Sequence, residues 1–188
     1  MISNNPAKRP PEAWRSEDLF ELGMGPVAVC RFKPGFVELG IFLVDAFCLG
    51  IKDATYAQVD HHEYENVVRD SIFRDKKPVK MEAACGRKLV ESSLAYAARF
   101  GFAPHPDYKK AARVLGGIDA AGCPQQFTFG KDGKPFFIAG PHDTPDRVRT
   151  ILAVLKHHCG EGNYHYLLQV GESEELFDKE AGDIQEEP

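Results

Sequence analysis

The chain has 188 residues, 43% of them hydrophobic, and its 23 Lys and Arg residues are outnumbered by 28 Asp and Glu, giving a net charge of −5. This length suits one ordinary domain with a sizeable core. The acidic excess lies in the tail from Glu172 to Pro188, which carries eight acidic residues and one lysine and leaves the remaining residues at about +2. A nearly neutral body argues against a surface dedicated to coating DNA, although a local basic face remains open.

The cysteines are odd in number and widely spaced, and none forms a C-x-x-C pair. They are Cys30, Cys48, Cys85, Cys123 and Cys159. This pattern is neither that of a zinc ribbon nor that of a disulfide framework. The sequence has no apolar leader at its start and no apolar run that reaches the length of a membrane span. We therefore expect a reducing, cytoplasmic setting.

Composition divides the chain into three parts. Residues 1–25 are rich in proline and charge and predict a loose arm, from which Trp14, Leu19 and Phe20 could dock a short helix. Residues 26–170 are predicted to form a single domain. Residues 171–188 form the acidic tail, which we expect to be disordered and solubilising.

The first two strands surround the longest apolar run of the chain. Residues 26–32 predict a short strand, and Lys33-Pro34-Gly35 has the residues of a type II turn. From Phe36 to Val44 the side chains alternate with the period of a strand, so that odd-numbered and even-numbered positions occupy opposite faces. An antiparallel hairpin of these two strands is predicted.

Four residues whose side chains could take part in catalysis or ligand binding follow the apolar part of this central strand: Asp45, Cys48, Lys52 and Asp53. One interpretation is structural, with a strand-to-helix corner at which Asp45 caps the next element and Lys52 neutralises an aspartate. The other interpretation is a site in which Asp45 and Asp53 bind a divalent cation or act as acid and base.

Helices are predicted in the middle of the chain. Residues 54–73 have apolar spacings compatible with a helix, and residues 81–100 form a clear helix that Gly101 ends. The elbow at 102–108 holds His105 between two prolines, which restricts its backbone and makes it a candidate acid, base or ligand. A second helix is expected to run to Leu115.

The segment 127–138 has the strongest local pattern, two aromatic stretches around an Asp-Gly turn, and predicts a β-hairpin. Its lysines Lys131 and Lys134 would carry positive charge at the tip, beside Phe136. Thr144 and Pro145 predict the start of a helix, preceded by His142, and residues 164–170 predict a last strand. The predicted binding residues are Lys131, Lys134, Phe136 and His142.

Taken in order, these elements predict an α+β fold. We expect a mixed or mainly antiparallel sheet of about four to five strands in a single domain, with helices packed on one face.

Three phrases in this order are similar to a family of uncharacterised bacterial proteins: LVDAFCLGIKD at 43–53, AARFGFAPHPDY at 97–108 and FGKDGKPFFIAGP at 129–141. The similarity covers about 26–168. It implies a bacterial cytoplasmic domain, and it brings no activity, cofactor or catalytic residue with it. Some members of that family carry a small C-terminal zinc module, whereas this chain ends in an acidic tail without the cysteine cluster such a module needs.

The sequence leaves enzyme and non-enzyme functions open. No Walker loop, G-x-G-x-x-G, G-x-S-x-G or H-E-x-x-H motif is present. The preferred interpretation is a binding or adaptor module that holds a protein or single-stranded nucleic-acid partner on the lysine-tipped hairpin and the His105 elbow.

Two enzymatic alternatives remain. One is a hydrolase or nuclease dependent on Mg²⁺ or Mn²⁺, with Asp45 and Asp53 as ligands, joined by Asp119 or Asp132 and a nearby histidine, His105 or His142. The other is thiol chemistry at Cys48 with a histidine base and Asp45 orienting it.

Overall fold

A computed structural model describes residues 9–168. These residues fall into two compact units that divide between Gly130 and Lys131. The predicted acidic tail at 171–188 lies outside the described residues. The division of the chain into one domain at 26–170 stays a prediction.

The first unit contains a five-stranded antiparallel sheet. Its strands are β1 (Glu12–Ser16), β2 (Met24–Lys33), β3 (Phe36–Asp45), β4 (Gly50–Val59) and β5 (Pro78–Glu82). The strand order is β4-β3-β2-β1-β5, so that β4 and β5 form the two edges. The second unit contains a parallel pair, β6 (Phe136–Ile138) and β7 (His165–Leu167).

Five helices belong to the first unit and one to the second, within the described residues. They are α1 (Leu19–Leu22), α2 (His61–Glu63), α3 (Arg69–Phe73), α4 (Ala83–Ala98), α5 (Tyr108–Ala111) and, in the second unit, α6 (Pro145–Cys159). A π-helical turn, Tyr64–Val68, joins α2 to α3, and the 3₁₀ turns Ala112–Leu115 and Ala120–Gly122 come after α5.

The predicted hairpin of β2 and β3 is confirmed. The two strands pair along their full lengths, from Met24 opposite Asp45 to Lys33 opposite Phe36. As the alternation predicts, Phe42 and Val44 enter the core beneath α4 and α5, whereas Val37 and Leu39 enter a second cluster on the opposite face. The central strand is therefore buried on both sides.

The helices α4 and α5 cover one face of the sheet, and glycine lets them approach it closely. A Cβ atom on Gly40 would lie 2.3 Å from Cγ1 of Val114 and 2.8 Å from the carbonyl oxygen of Ala111. On the other face the π-helical turn brings Tyr64, which is only 1% exposed, onto Cys30 and Phe32. The α+β class and the mainly antiparallel sheet are confirmed, with a helical segment on the second face in addition.

The predicted loose arm is wrong for residues 12–25. Glu12–Ser16 forms β1, which lies between β2 and β5, and α1 buries Leu19 completely. Proline and charge in this stretch suggest an arm, but the charge of Glu12 is neutralised inside the fold, where Lys80 and Arg9 pair with it. Composition does not reveal the pairing with Lys80, because that partner is distant in sequence.

The predicted corner after β3 is also corrected. The chain turns back into β4 rather than into a helix, and β4 pairs with β3 through a bulge between Leu43 and Val44. Thr55, Tyr56 and Val59 are spaced in a way that suits a strand as well as a helix, and their β-branched and aromatic side chains favour the strand. Helical structure begins only at His61.

The predicted hairpin at 127–138 forms only around its turn. Asp132 and Gly133 have φ values of 52° and 78°, as a type I′ turn requires, and Lys131 pairs with Lys134. The stretch 127–129 is not a strand, and β6 pairs in parallel with β7 instead.

The cysteines contradict the expectation of no disulfide, because Cys85 in α4 is bonded to Cys123. Their separation of 38 residues matches no spacing motif, and only the packing of the 3₁₀ turn Ala120–Gly122 beside α4 brings them together. In a chain-entropy estimate, closing a loop of this length stabilises the fold by up to about 4 kcal/mol. The cytoplasmic setting, which rests partly on cysteine usage, stays a prediction.

Candidate functional site

The residues after β3 form a closed turn, here called the Asp45 turn, which comprises residues 45–50. Asp45 is 7% exposed, and its Oδ1 accepts hydrogen bonds from the backbone N–H of Phe47 at 3.0 Å and of Cys48 at 2.9 Å. The N–H of Ala46 donates to the carbonyl of Gly23 at 2.7 Å. Asp45 therefore caps a turn of the first unit, in agreement with the structural interpretation of the sequence.

Burial raises the pKa of the Asp45 carboxyl to about 6, although the N–H of Cys48 and the positive charge of Lys52 act in the opposite direction. A carboxyl that titrates near neutrality would suit acid–base chemistry. Here, however, the group is almost completely buried, and one of its oxygens already accepts two hydrogen bonds from the turn. The raised pKa is a consequence of the structural role.

Cys48 lies in the same turn and is fully buried. A substrate would have to open the turn to reach its sulfur, because the thiol has no path to solvent in the folded chain. The burial of Cys48 favours a packed side chain over a nucleophile.

Asp53 and His105, which the hydrolase alternative placed at one ion, lie close together. The Nδ1 atom of His105 lies 3.8 Å from Oδ1 of Asp53 and 3.8 Å from Oδ2 of Asp107, and it accepts a hydrogen bond from the N–H of Asp107. The backbone N–H of His105 donates to the carbonyl of Ile51, which ties the proline elbow to β4. The elbow thus has a structural task at this edge of the sheet.

The two aspartates of the predicted metal site are used separately. Across residues 9–168, no group of three or more His, Cys, Asp and Glu side chains is placed to hold an ion. Asp45 directs an oxygen into its own turn, while the side chain of Asp53 is 60% exposed and accepts a hydrogen bond from the N–H of Ala54.

The predicted binding residues of the second unit mostly stabilise its own turns. The Nζ atom of Lys134 donates to the carbonyl of Gly162 at 2.7 Å, and the Nζ atom of Lys131 lies 5.3 Å from the ring centroid of Phe136. The Phe136 ring in turn contacts His165 edge-on. His142 is exposed in the turn before α6.

A surface that no sequence motif indicates lies in the first unit. Five half-buried rings contact one another in a chain, and we call them the aromatic row: Phe127, Phe20, Phe129, Tyr96 and Phe100. Neighbouring ring centroids are 5.1 to 6.4 Å apart, with two stacked and two edge-on pairs. These are the separations at which aromatic pairs attract.

Arginines lie over rings at two places along the aromatic row. The guanidinium carbon of Arg99 is 5.8 Å from the ring centroid of Tyr96 and 5.5 Å from that of Phe100. Arg15 lies 5.8 Å from the centroid of Phe20. The surface therefore combines apolar ring area with two exposed or half-exposed cations.

The fold assembles the row from three distant stretches. Phe20 comes from α1, Tyr96 from α4 and Phe100 from the turn after α4, while Phe127 and Phe129 come from the extended segment 124–129. The Asp45 turn supports all three. A Cβ on Gly23, after α1, would overlap the Phe47 ring, Gly50 lies against Ser93 and Ala97 of α4, and the N–H of Gly130 donates to the carbonyl of Ala46.

Two further apolar side chains are exposed at the end of α1 and the start of β2. Leu22 is 53% exposed and Met24 is 38% exposed. Phe20, Phe127 and Phe129 rest on the core cluster below, so their inner edges are fixed. The result is an apolar surface on a rigid base.

Only one pair of rings in the row, Tyr96 and Phe100, can be expected from the sequence. The apolar stripe of α4 passes through Gly86, Val90 and Ala97, and Tyr96 lies outside it, with Phe100 four residues further on. Large aromatic residues at i and i+4 outside the buried stripe of a helix form a pair on its surface. The packing of Phe20 and Phe127 against that pair is long-range and has no local pattern.

A buried polar network on the other face of the sheet is structural. The hydroxyl of Tyr64 donates to Glu12, which also pairs with Lys80 at 2.5 Å and with Arg9 at 2.8 Å. Burial raises the pKa of the Cys30 thiol beside Tyr64 to about 12 and also raises the pKa of the Tyr64 hydroxyl. A thiol so hard to ionise is a poor nucleophile, and the network holds the π-helical turn onto the sheet.

Comparison with known proteins adds no relative. No protein family, curated protein or solved structure matches the chain. None of the helices in the described part of the chain has the length and apolar character needed to span a membrane.

Proposed function

We propose that this chain is a non-catalytic binding module that holds a segment of a partner protein on the aromatic row. The observation that carries this proposal is the row itself, in which five half-buried rings contact one another and three of them pack on the core, with Arg15 over Phe20 and Arg99 over Tyr96 and Phe100. Aromatic residues, methionine and arginine are the side chains enriched in the centres of protein interfaces.

The rigidity of the base supports a binding role. Rings that already pack on one another and on the core lose little conformational entropy when a ligand covers them. Apolar side chains of a partner would gain burial against the rings, and a carboxylate of the partner would pair with Arg99, since Arg15 already donates to the carbonyls of Ser16 and Glu17. We therefore infer a partner segment that carries apolar side chains and at least one acidic residue.

A protein partner is preferred over single-stranded nucleic acid. The body of the chain is nearly neutral, and acidic residues surround α1, where Glu17 and Asp18 pair with Lys77 and Lys76. Lys134, expected to contact phosphate, donates to a backbone carbonyl instead. A strand-binding groove uses a continuous line of cations along the phosphates, and the row has two.

The metal-dependent hydrolase is not the function that the geometry favours, because Asp45 caps its own turn and no group of three or more ligating side chains within residues 9–168 is placed to hold an ion. The bacterial origin and the cytoplasmic location rest on the sequence resemblance alone, because the Cys85–Cys123 disulfide removes the argument from cysteine usage. We retain them as part of the proposal.

The test is a selection of peptides from a random phage-displayed library on the immobilised chain. Selected peptides would be synthesised with a fluorophore, and their affinities measured by anisotropy for the wild type, for Arg99→Gln and Phe100→Gln, and for the control Lys110→Gln. We expect selected sequences with apolar and acidic residues, whose Kd rises about tenfold in each row variant and is unchanged in the control.

A fluorescent oligo-dT strand measured in parallel distinguishes the other partner class. Peptides that bind wild type and row variants equally well would contradict the proposal. So would salt-dependent oligo-dT binding that exceeds peptide binding and is weakened by Arg99→Gln.

A further inference from the structure

The segment that supplies two rings of the aromatic row has few backbone anchors. At one end Cys123 is bonded to Cys85 of α4, and at the other end Gly130 donates to the carbonyl of Ala46 at 2.9 Å. Between these points, within the described part of the chain, no backbone hydrogen bond joins residues 124–129 to any other residue. We call residues 124–129 the strap.

The strap is held in place mainly by its own rings. Phe127 stacks on Phe20 with centroids 5.9 Å apart, and Phe129 stacks on Tyr96 at 5.5 Å. Phe129 also contacts Phe20 edge-on, so it joins the ring from α1 to the ring from α4. If the strap moves, the row loses its middle ring and one end.

The disulfide fixes the strap to the same helix that carries Tyr96. Cys85 and Tyr96 both belong to α4, so the bond holds the beginning of the strap at a constant position relative to half of the row. A hydrogen bond from Nζ of Lys88 to the carbonyl of Cys123, at 3.1 Å, also holds this end, but water competes with it. The covalent bond is therefore the main anchor of this end.

We propose that the Cys85–Cys123 disulfide is a redox latch for the aromatic row: the oxidised chain holds the strap and the complete row, and reduction releases the strap. The effect on partner binding rests on the proposed function, whereas release of the strap does not. Oxidised chain would bind the partner segment, and reduced chain would bind it less tightly.

The chemistry is thiol–disulfide exchange with a dithiol. A thiolate of the dithiol attacks one sulfur of the disulfide, the bond between Cys85 and Cys123 breaks, and a mixed disulfide forms. The second thiol of the reagent then displaces the remaining cysteine. Two electrons and two protons pass to the protein as two thiols, and the reagent leaves as its cyclic disulfide.

Burial of the two sulfur atoms slows the reduction of the disulfide but does not prevent it. Cys85 is 2% exposed and Cys123 is 3% exposed, so attack requires the strap to open first. A segment without backbone hydrogen bonds opens locally at low cost, independently of global unfolding. The rate of reduction should therefore depend on strap opening and not on unfolding of the sheet.

The experiment uses the full chain in oxidised form and after treatment with dithiothreitol, with hydrogen exchange measured by mass spectrometry. The double variant Cys85→Ser/Cys123→Ser provides a permanently open latch, and Cys159→Ser is the control, since Cys159 forms no disulfide and lies in α6. Affinity for a selected peptide is measured on the same samples. If the double variant fails to fold, the reduced wild type still gives both readouts.

The amides at positions 123 and 130, at the two ends of the strap, donate to the carbonyls of Ala120 and Ala46. We expect these two amides to exchange about tenfold faster after reduction, and in the double variant, while β2 and β3 exchange at unchanged rates. Peptide affinity should fall about tenfold in the same samples and stay unchanged in Cys159→Ser.

Unchanged exchange of the amides at positions 123 and 130 on complete reduction would overturn the latch, as would free Cys85 and Cys123 thiols in chain prepared without reductant. A faster strap with unchanged peptide affinity would overturn its regulatory effect and leave the binding function standing. A faster strap with no peptide binding in either state would support the strap release and contradict the proposed function.

Discussion

The Asp45 turn and the aromatic row both belong to the first unit, and they differ in the contacts that their side chains already make. In the turn, the carboxylate of Asp45 accepts two backbone hydrogen bonds, Cys48 is fully buried and Gly50 lies against α4. In the row, the rings of Tyr96 and Phe100 are half-exposed, and Arg99 lies over them at the surface.

This difference separates residues that look reactive from residues that can meet a partner. Asp, Cys and Lys near a strand end are natural candidates for a functional site in a sequence, because these side chains take part in catalysis and metal binding. Here they are used by the fold, whereas the surface open to a partner is made of residues without intrinsic reactivity. Substitutions in the turn should therefore change stability, and substitutions in the row should change binding.

The largest effect is expected for Gly50→Ala, in the turn. Gly50 has a φ of +69°, and a Cβ there would lie 2.8 Å from both Cβ of Ala97 and the carbonyl oxygen of Ser93. Left-handed strain and overpacking together should cost about 5 kcal/mol of unfolding free energy. Gly35→Ala is the control, because its φ is +85° but nothing lies within 4 Å, so it should cost about 1 kcal/mol. Urea unfolding measures both, and equal losses would show that α4 does not rest on the turn.

Asp45→Ala should come next, at about 4 kcal/mol, because the N–H groups of Phe47 and Cys48 would lose their buried acceptor. Asp45→Asn keeps an oxygen in this position and should cost less than about 1 kcal/mol at pH 4, where the folded chain holds the Asp45 carboxyl in its neutral form. Thermal and urea unfolding of the two variants test this. Similar losses in both variants would mean that the turn requires the charge and not the hydrogen bonds.

The pH dependence gives a third test of the turn. The pKa of Asp45 is raised from 3.8 to about 6, so the folded state holds this proton more tightly than the unfolded state does. The stabilisation that this proton gives to the folded state is complete below about pH 4 and is lost as the pH rises through about 6. The loss amounts to about 3 kcal/mol of unfolding free energy. The unfolding free energies of Asp45→Asn and wild type are measured from pH 4 to 7. The value for Asp45→Asn minus the value for wild type should increase over this range. A constant difference would contradict the raised pKa.

The smallest effect on stability is expected in the row. Arg99 is exposed and lies over two rings, so Arg99→Gln should change the unfolding free energy by less than about 0.5 kcal/mol. Its effect on the affinity for a selected peptide should be about tenfold. A variant that loses stability and binding in proportion would place Arg99 among the structural residues, together with those of the turn.

Local patterns in the sequence are sufficient for the β2–β3 hairpin, α4 and α6, because alternation, helical spacing and capping residues all act within a few positions. The role of Asp45 as a cap can also be predicted from the sequence, since an aspartate after a strand commonly accepts backbone hydrogen bonds. Local patterns do not predict β1, where the charged residues suggest an arm. They do not predict β4 either, because the spacing of its apolar residues suits both a strand and a helix. In each case, pairing with distant residues decides the outcome.

The candidate site is predicted less well than the fold. Asp53 and His105 do lie together, but the row depends on contacts such as Phe20 with Phe127, which join residues about a hundred positions apart. The disulfide depends in the same way on the packing of α4. No periodicity or motif encodes such contacts, because they result from the tertiary arrangement of several elements.

The most direct measurement is a residue-by-residue map of a selected peptide on the ¹⁵N-labelled chain, from chemical-shift changes in amide NMR spectra. We expect the changes to concentrate in α1, at residues 96–101 and in the strap at 124–129, and to leave the amides of residues 51–55 and 104–108 unchanged. Changes centred on Asp53 and His105, with the row silent, would contradict the assignment of binding to the aromatic row and return the site to the end of the central hairpin.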